Sequence, residues 1–297
     1  MRPIAALSVY VIVVFIGGAL LAPWLYWAAQ TIAPGSHLAQ NPFHRFVDRS
    51  FLAMALIGIW PLLRALGATS LREVGLVKPA GQARLFLAGF AIGFGSLAAA
   101  AFITIAAHER QFNSALGAGQ IASGIAAAIG TALVVAVLEE ILFRGAIFGG
   151  LRRFWDWRIA LIISSMVYAI VHFLQKVDLA GPIVWSSGLR LLPQKLHGFE
   201  EWNALVPCFF NLTFVGMLLG LAYQRTGNLY CSIGMHAGWI FWLRAYAMLT
   251  TPIHDNVHTA FWGSQKLIDG WLALCVLALP LFIIILMPQR KTRLATA

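Results

Sequence analysis

Glu139, Glu140 and Arg144 stand inside an apolar run, TALVVAVLEEILFRGAIFGG. A charged side chain at the centre of a membrane helix costs roughly 2.5–3.5 kcal/mol, so three unpaired ones would cost about 8–10 kcal/mol. A chain meets that cost either by pairing the charges or by using them. Two further apolar runs carry His172 and His236. A carboxylate base and an imidazole around one water can drive attack on a carbonyl. A second group placed where negative charge develops would assist.

Spacing sorts the acidic pair. Glu140 and Arg144 are four residues apart, on one helical face and in the favourable order. Glu139 is rotated about 100° away from Glu140 on an α-helix. Glu140 is therefore the natural partner of Arg144, and Glu139 falls outside that pair as the candidate base. A buried ionic latch that fixes helix register explains Glu140 and Arg144 equally well, but it explains Glu139 poorly. A single intramembrane histidine is often only hydrogen-bonded to a neighbouring helix.

The elements that must position these groups follow from composition. The 297 residues are 60% hydrophobic and 11% charged, against about 25% charged in a soluble protein. This predicts an all-α polytopic membrane protein, residues 1–297 forming a single integral-membrane domain. Apolar runs long enough to span occur at 7–31, 47–66, 84–107, 121–150, 159–175, 205–224, 229–250 and 269–287. The first reads as a retained helix, because its n-region has only Arg2 and no A-x-A site follows. The net charge of +10 is spread over loop ends and forms no basic patch with aromatic interleaving, so no nucleic acid is expected. Arg64, Arg72, Lys78, Arg84, Arg152, Arg153, Arg158, Arg225, Arg290, Lys291 and Arg293 fall on one side if both termini are cytoplasmic. Cys208, Cys231 and Cys275 lack CxxC spacing and read as packing residues. His254 and His258 read as solvated loop residues. The 176–204 loop reads as a connector at the membrane surface, with an interfacial element or lid as the alternative.

Depth brings the candidates to one level. At 1.5 Å per residue from the basic loops, Glu139, His172 and His236 lie about 20, 21 and 16 Å above the cytoplasmic surface. Ionisable residues at such depth normally face a bundle interior or a watered cavity. Gly216-x-x-x-Gly220 and Gly234-x-x-x-Gly238, the second bracketing His236, mark close helix approach.

The ordered set of Glu139-Glu140-x-x-x-Arg144, Tyr168-x-x-x-His172, Gly216-x-x-x-Gly220 with Arg225-Thr226-Gly227-Asn228-Leu229, and His236 resembles the CAAX protease and bacteriocin-processing enzyme family. These are eight-helix intramembrane proteases of glutamate type, and the resemblance covers about 121–250. It implies catalytic roles for Glu139, His172 and His236. Glu139 and His172 would activate a water, and His236 would bind the oxyanion. Glu140 and Arg144 would support the site. The expected partners are the lipid bilayer and a membrane-anchored peptide or protein substrate, in the bacterial inner membrane. Two positions depart from the family's pattern. Tyr168 replaces the usual Phe, and Ile240 stands where Asn or Asp normally follows the last histidine. Asn211 and the Trp239 indole are candidate replacement donors. No cofactor is expected. The chain has no H-E-x-x-H, although two histidines and a glutamate could hold zinc. A catalytically weak membrane scaffold or regulator is the alternative function, and a proton-coupled transporter is less favoured for want of internal repeats.

Overall fold

The computed structural model describes residues 3–174, 176–199, 202–253, 259–264 and 266–288. His254, His258 and the basic run Arg290, Lys291 and Arg293 lie outside the described residues. A helix occupies each of the eight apolar runs, with bounds within a few residues of expectation. They are α1 (Pro3–Ile32), α2 (Phe43–Ala65), α3 (Ala83–Ala106), α4 (Ala118–Leu151), α5 (Trp157–Val171), α7 (Trp202–Thr226), α8 (Tyr230–Leu249) and α9 (Trp271–Leu286), with α6 (Ser187–Lys195) between α5 and α7. Among the described residues the protein is all-α apart from one strand pair. Among the described residues, α1 to α4 and Leu205–Thr226 of α7 are five segments long and apolar enough to cross a membrane. The chain is a multi-pass integral membrane protein. The three free cysteines are Cys208, Cys231 and Cys275.

The chain divides into two compact units, Met1–Thr69 with Ile170–Leu205, and Ser70–Ala169 with Val206–Ala297. In the first unit, α1 packs on α2. The Tyr10 hydroxyl donates to the Ala55 carbonyl at 2.9 Å, and Phe15 meets Phe51 edge-on at 5.1 Å. The long connector is more than a surface strap. Its helix α6 lies so close to α1 that a Cβ on Gly188 would overlap the Ala19 carbonyl. Lys195, 1% exposed, reaches Asp48 of α2 at 2.6 Å, and His44 meets Asp178 at 2.6 Å. Interspersed apolar residues such as the fully buried Leu191 are core contacts here, which loop composition alone does not reveal.

In the second unit, α3 and α8 are locked by reciprocal glycines. A Cβ on Gly89 or Gly93 would overlap the carbonyls of Cys231 or Met235, and one on Gly234 would overlap the Phe86 carbonyl. Absent side chains let the backbones touch, the usual device for joining helices in lipid. Gly216 of α7 packs the same way, its Cβ direction running into Ser165 of α5 at 2.8 Å. Beyond the helix ends, Arg110–Phe112 (β1) pairs antiparallel with Thr250–Pro252 (β2). Arg110 fastens this pair by donating to the Thr250 hydroxyl and carbonyl, each at 2.8 Å.

Candidate active site

Helix α4 is not α-helical throughout. Ala118–Glu139 is α-helical, whereas Glu140–Phe148 is a π-helix. The acidic pair straddles the junction. The expectation of a uniform α-helix over 121–150 is corrected here. The local bonding runs i→i+5, a geometry that is costly, usually brief and frequent at functional sites. Small residues accommodate it, since Gly145 and Ala146 are buried where Val74 and Leu229 approach.

The ion pair predicted by spacing is present. Arg144 Nη1 donates to Glu140 Oε1 at 2.9 Å, with both side chains buried. Glu140 has a second duty that spacing does not reveal. The same Oε1 lies 2.8 Å from His236 Nδ1. Oε2 of Glu140 has no hydrogen-bond partner among the described residues. The other guanidinium nitrogen of Arg144 points to the Gly216 carbonyl at 3.5 Å. The Arg144 guanidinium and the His236 imidazole thus converge on one buried carboxylate, which offsets the desolvation of the Glu140–Arg144 pair.

Glu139 is placed differently. Its side chain is 24% exposed, and its Oε2 lies 3.7 Å from His236 Nε2. The imidazole therefore stands between the two carboxylates, with Nδ1 toward Glu140 and Nε2 toward Glu139. Tyr168 completes the cluster. Its hydroxyl is 3.5 Å from His236 Nε2, and its ring is 3% exposed. Arg144 lies 4.4 Å above that ring, and Phe143 meets it edge-on at 5.0 Å.

Five groups from three helices are thus brought together: Glu139, Glu140 and Arg144 of α4, Tyr168 of α5 and His236 of α8. His172 follows Tyr168 by four residues, in a turn just past the last residue of α5, and is exposed. The helix ends at Val171 rather than continuing to 175. Ile240 lies one turn after His236 on α8 and is 8% exposed. The two donors considered in its place are engaged elsewhere. Asn211 Nδ2 donates to the carbonyls of Ile268 and Gly270 at 2.7 and 2.9 Å. Trp239 Nε1 donates to Ser96 Oγ at 2.9 Å. Among the described residues, no group of three His, Cys, Asp or Glu side chains is arranged to hold a metal. The hydroxyl of Tyr168 is what sequence reasoning undervalued. The available signal was a tyrosine one turn before His172 in the apolar second half of the helix.

Comparison with known proteins agrees with the resemblance drawn from the motifs. Residues 121–242 match the family model described as Rce1-like, type II CAAX prenyl endopeptidase. This stretch is less than half of the chain, and it holds all five clustered residues. No curated protein and no solved structure matches.

Proposed function

We propose that the chain is an intramembrane endopeptidase that hydrolyses a peptide bond of a membrane-associated substrate with a water activated by Glu139. The family match supports a CAAX-type intramembrane protease. The observation that carries the mechanism is the division of labour between adjacent carboxylates. Glu140 is engaged by Arg144 and His236, whereas Glu139 stands partly exposed beside the same imidazole.

In this reading Glu139 accepts a proton from water as the water oxygen bonds to the carbonyl carbon. The carbonyl electron pair moves onto oxygen. The intermediate then collapses, the C–N bond breaks, and Glu139 returns the proton to the departing amine. A positioned acid–base group of this kind contributes about 10²–10⁴-fold. Glu140 takes the Nδ1–H of His236 and fixes the ring. As an imidazolium, His236 donates from Nε2 as well, toward the developing oxyanion. By the resemblance, His172 orients Glu139 and its water, and His172→Ala should cost activity without unfolding the protein. We further place the chain in a bacterial cell membrane, with eight spans, both termini cytoplasmic, and a membrane-anchored peptide or protein as substrate. Ile240, which offers no donor, is the observation that favours the second reading, a catalytically weak family member acting as a scaffold or regulator.

The test is cleavage of membrane-anchored peptide substrates by purified wild type and Glu139→Gln. The variant should lose at least about 100-fold in rate, and equal cleavage would sink the mechanism. Activity that survives chelators supports glutamate chemistry. Activity that chelators abolish and zinc restores would replace it with a metal mechanism.

A further inference from the structure

We propose that Tyr168 is a catalytic residue whose phenolic hydroxyl, together with His236 Nε2, binds the oxyanion in place of the donor that Ile240 lacks. The inference rests on the hydrolytic reading above and deepens it.

The Tyr168 hydroxyl and His236 Nε2 are 3.5 Å apart. Hydrogen bonds between nitrogen and oxygen normally span about 2.7–3.2 Å. The two atoms therefore stand side by side rather than tightly bonded to each other. Two donors at that spacing can each reach one shared oxygen at about 2.8 Å, which is the geometry of an oxyanion hole. Nδ1 of the imidazole is held by Glu140, so the ring cannot turn Nε2 away from this spot without breaking a buried bond.

The tyrosine is held as firmly. Its ring is fixed edge-on to Phe143 at an interplanar angle of 89° and lies under the Arg144 guanidinium. Arg144 is itself anchored to Glu140. The hydroxyl is thus aimed by the same network that aims the histidine. The two donors considered for the position facing Ile240 are engaged elsewhere, Asn211 on Ile268 and Gly270, and Trp239 on Ser96. Ile240 shares the face of His236 one turn on and has no polar atom in its side chain. Tyr168 keeps its proton throughout. Its hydrogen bond strengthens as charge collects on the carbonyl oxygen and relaxes when the C–N bond breaks.

Tyr168→Phe keeps the ring, its edge-on contact with Phe143 and its place under the Arg144 guanidinium, and removes the hydroxyl together with the hydrogen bond it makes to Arg144. The expected result is a fall in kcat of roughly 100-fold with KM nearly unchanged. Adding Ile240→Asn to that variant should recover about tenfold or more, since an amide then enters the face vacated by the hydroxyl. A merely structural tyrosine would not be rescued from position 240. Tyr168→Phe with wild-type kcat overturns the inference. So does a loss that appears in KM and resists Ile240→Asn. Thermal unfolding in detergent checks that the variant folds. If it does not, tetrafluorotyrosine at position 168 replaces it, keeping the hydroxyl but making it far more acidic. Activity should then fall at the alkaline end of a pH series that wild type withstands, and an identical profile overturns the inference. Failure of the underlying reading looks different. If wild type does not cleave, or Glu139→Gln cleaves equally, hydrolysis and this inference fall together. If cleavage needs Glu139 but not the Tyr168 hydroxyl, this inference falls alone.

Discussion

Glu140 holds both Arg144 and His236, and its loss should be felt as instability. Glu140→Leu leaves Arg144 buried without its counter-charge and the His236 ring without its Nδ1 partner. Breaking a buried pair from one side costs about 3–5 kcal/mol. Glu139, 24% exposed, tolerates neutralisation far better, and Glu139→Gln should stay within about 1 kcal/mol of wild type. Thermal unfolding in detergent measures both, and a reversed ranking would overturn the division between supporting and reacting carboxylate. The Glu140–Arg144 pair is legible in the sequence because it is local, four residues on one helix. The bond from Glu140 to His236 spans 96 residues and depends on how α4 and α8 meet, which no spacing rule reports. The same holds for the engagement of Trp239 by Ser96, 143 residues apart.

At the scale of elements, the π-helical stretch Glu140–Phe148 and the glycine seam between α3 and α8 do the positioning. The seam yields a clean contrast. Gly93→Ala would drive a methyl group into the Met235 carbonyl, whereas Gly95→Ala, two residues along the same helix, meets nothing within 4 Å. Gly93→Ala should lower the unfolding temperature and reduce activity, because α8 carries His236. Gly95→Ala should be neutral or stabilising by up to about 1 kcal/mol from helix propensity. Equal behaviour of the two would mean that the seam does not hold α8. The G-x-x-x-G pattern of α8 announced close packing. Its partner carries the same spacing, Gly89-x-x-x-Gly93, but that pattern says only that a helix is closely approached, not by which neighbour. The π-helix left no local mark. Charged residues inside an apolar run predict a cost, and the run's length predicts a helix, but hydrogen-bond register is decided by packing. The docking of α6 was missed because a short amphipathic piece, SGLRLLPQK, looks like surface until its partners are known.

At the scale of the molecule, composition carried most of the information. Apolar run length is fixed by bilayer thickness, so each predicted run holds a helix. Orientation rests on the basic residues and is open to labelling. With Cys208, Cys231 and Cys275 replaced, a cysteine at Ser114 should react with an impermeant maleimide on intact cells. One at Ala80 should react only after permeabilisation. Both positions are exposed, and the opposite pattern would invert the topology. The glycine seam also bears on traffic. Where α3 and α8 touch backbone to backbone there is no width for even a methyl group, so an extended peptide cannot thread between them. The seam is a closed wall on that side, and on the reading proposed above a scissile bond must be presented from another direction.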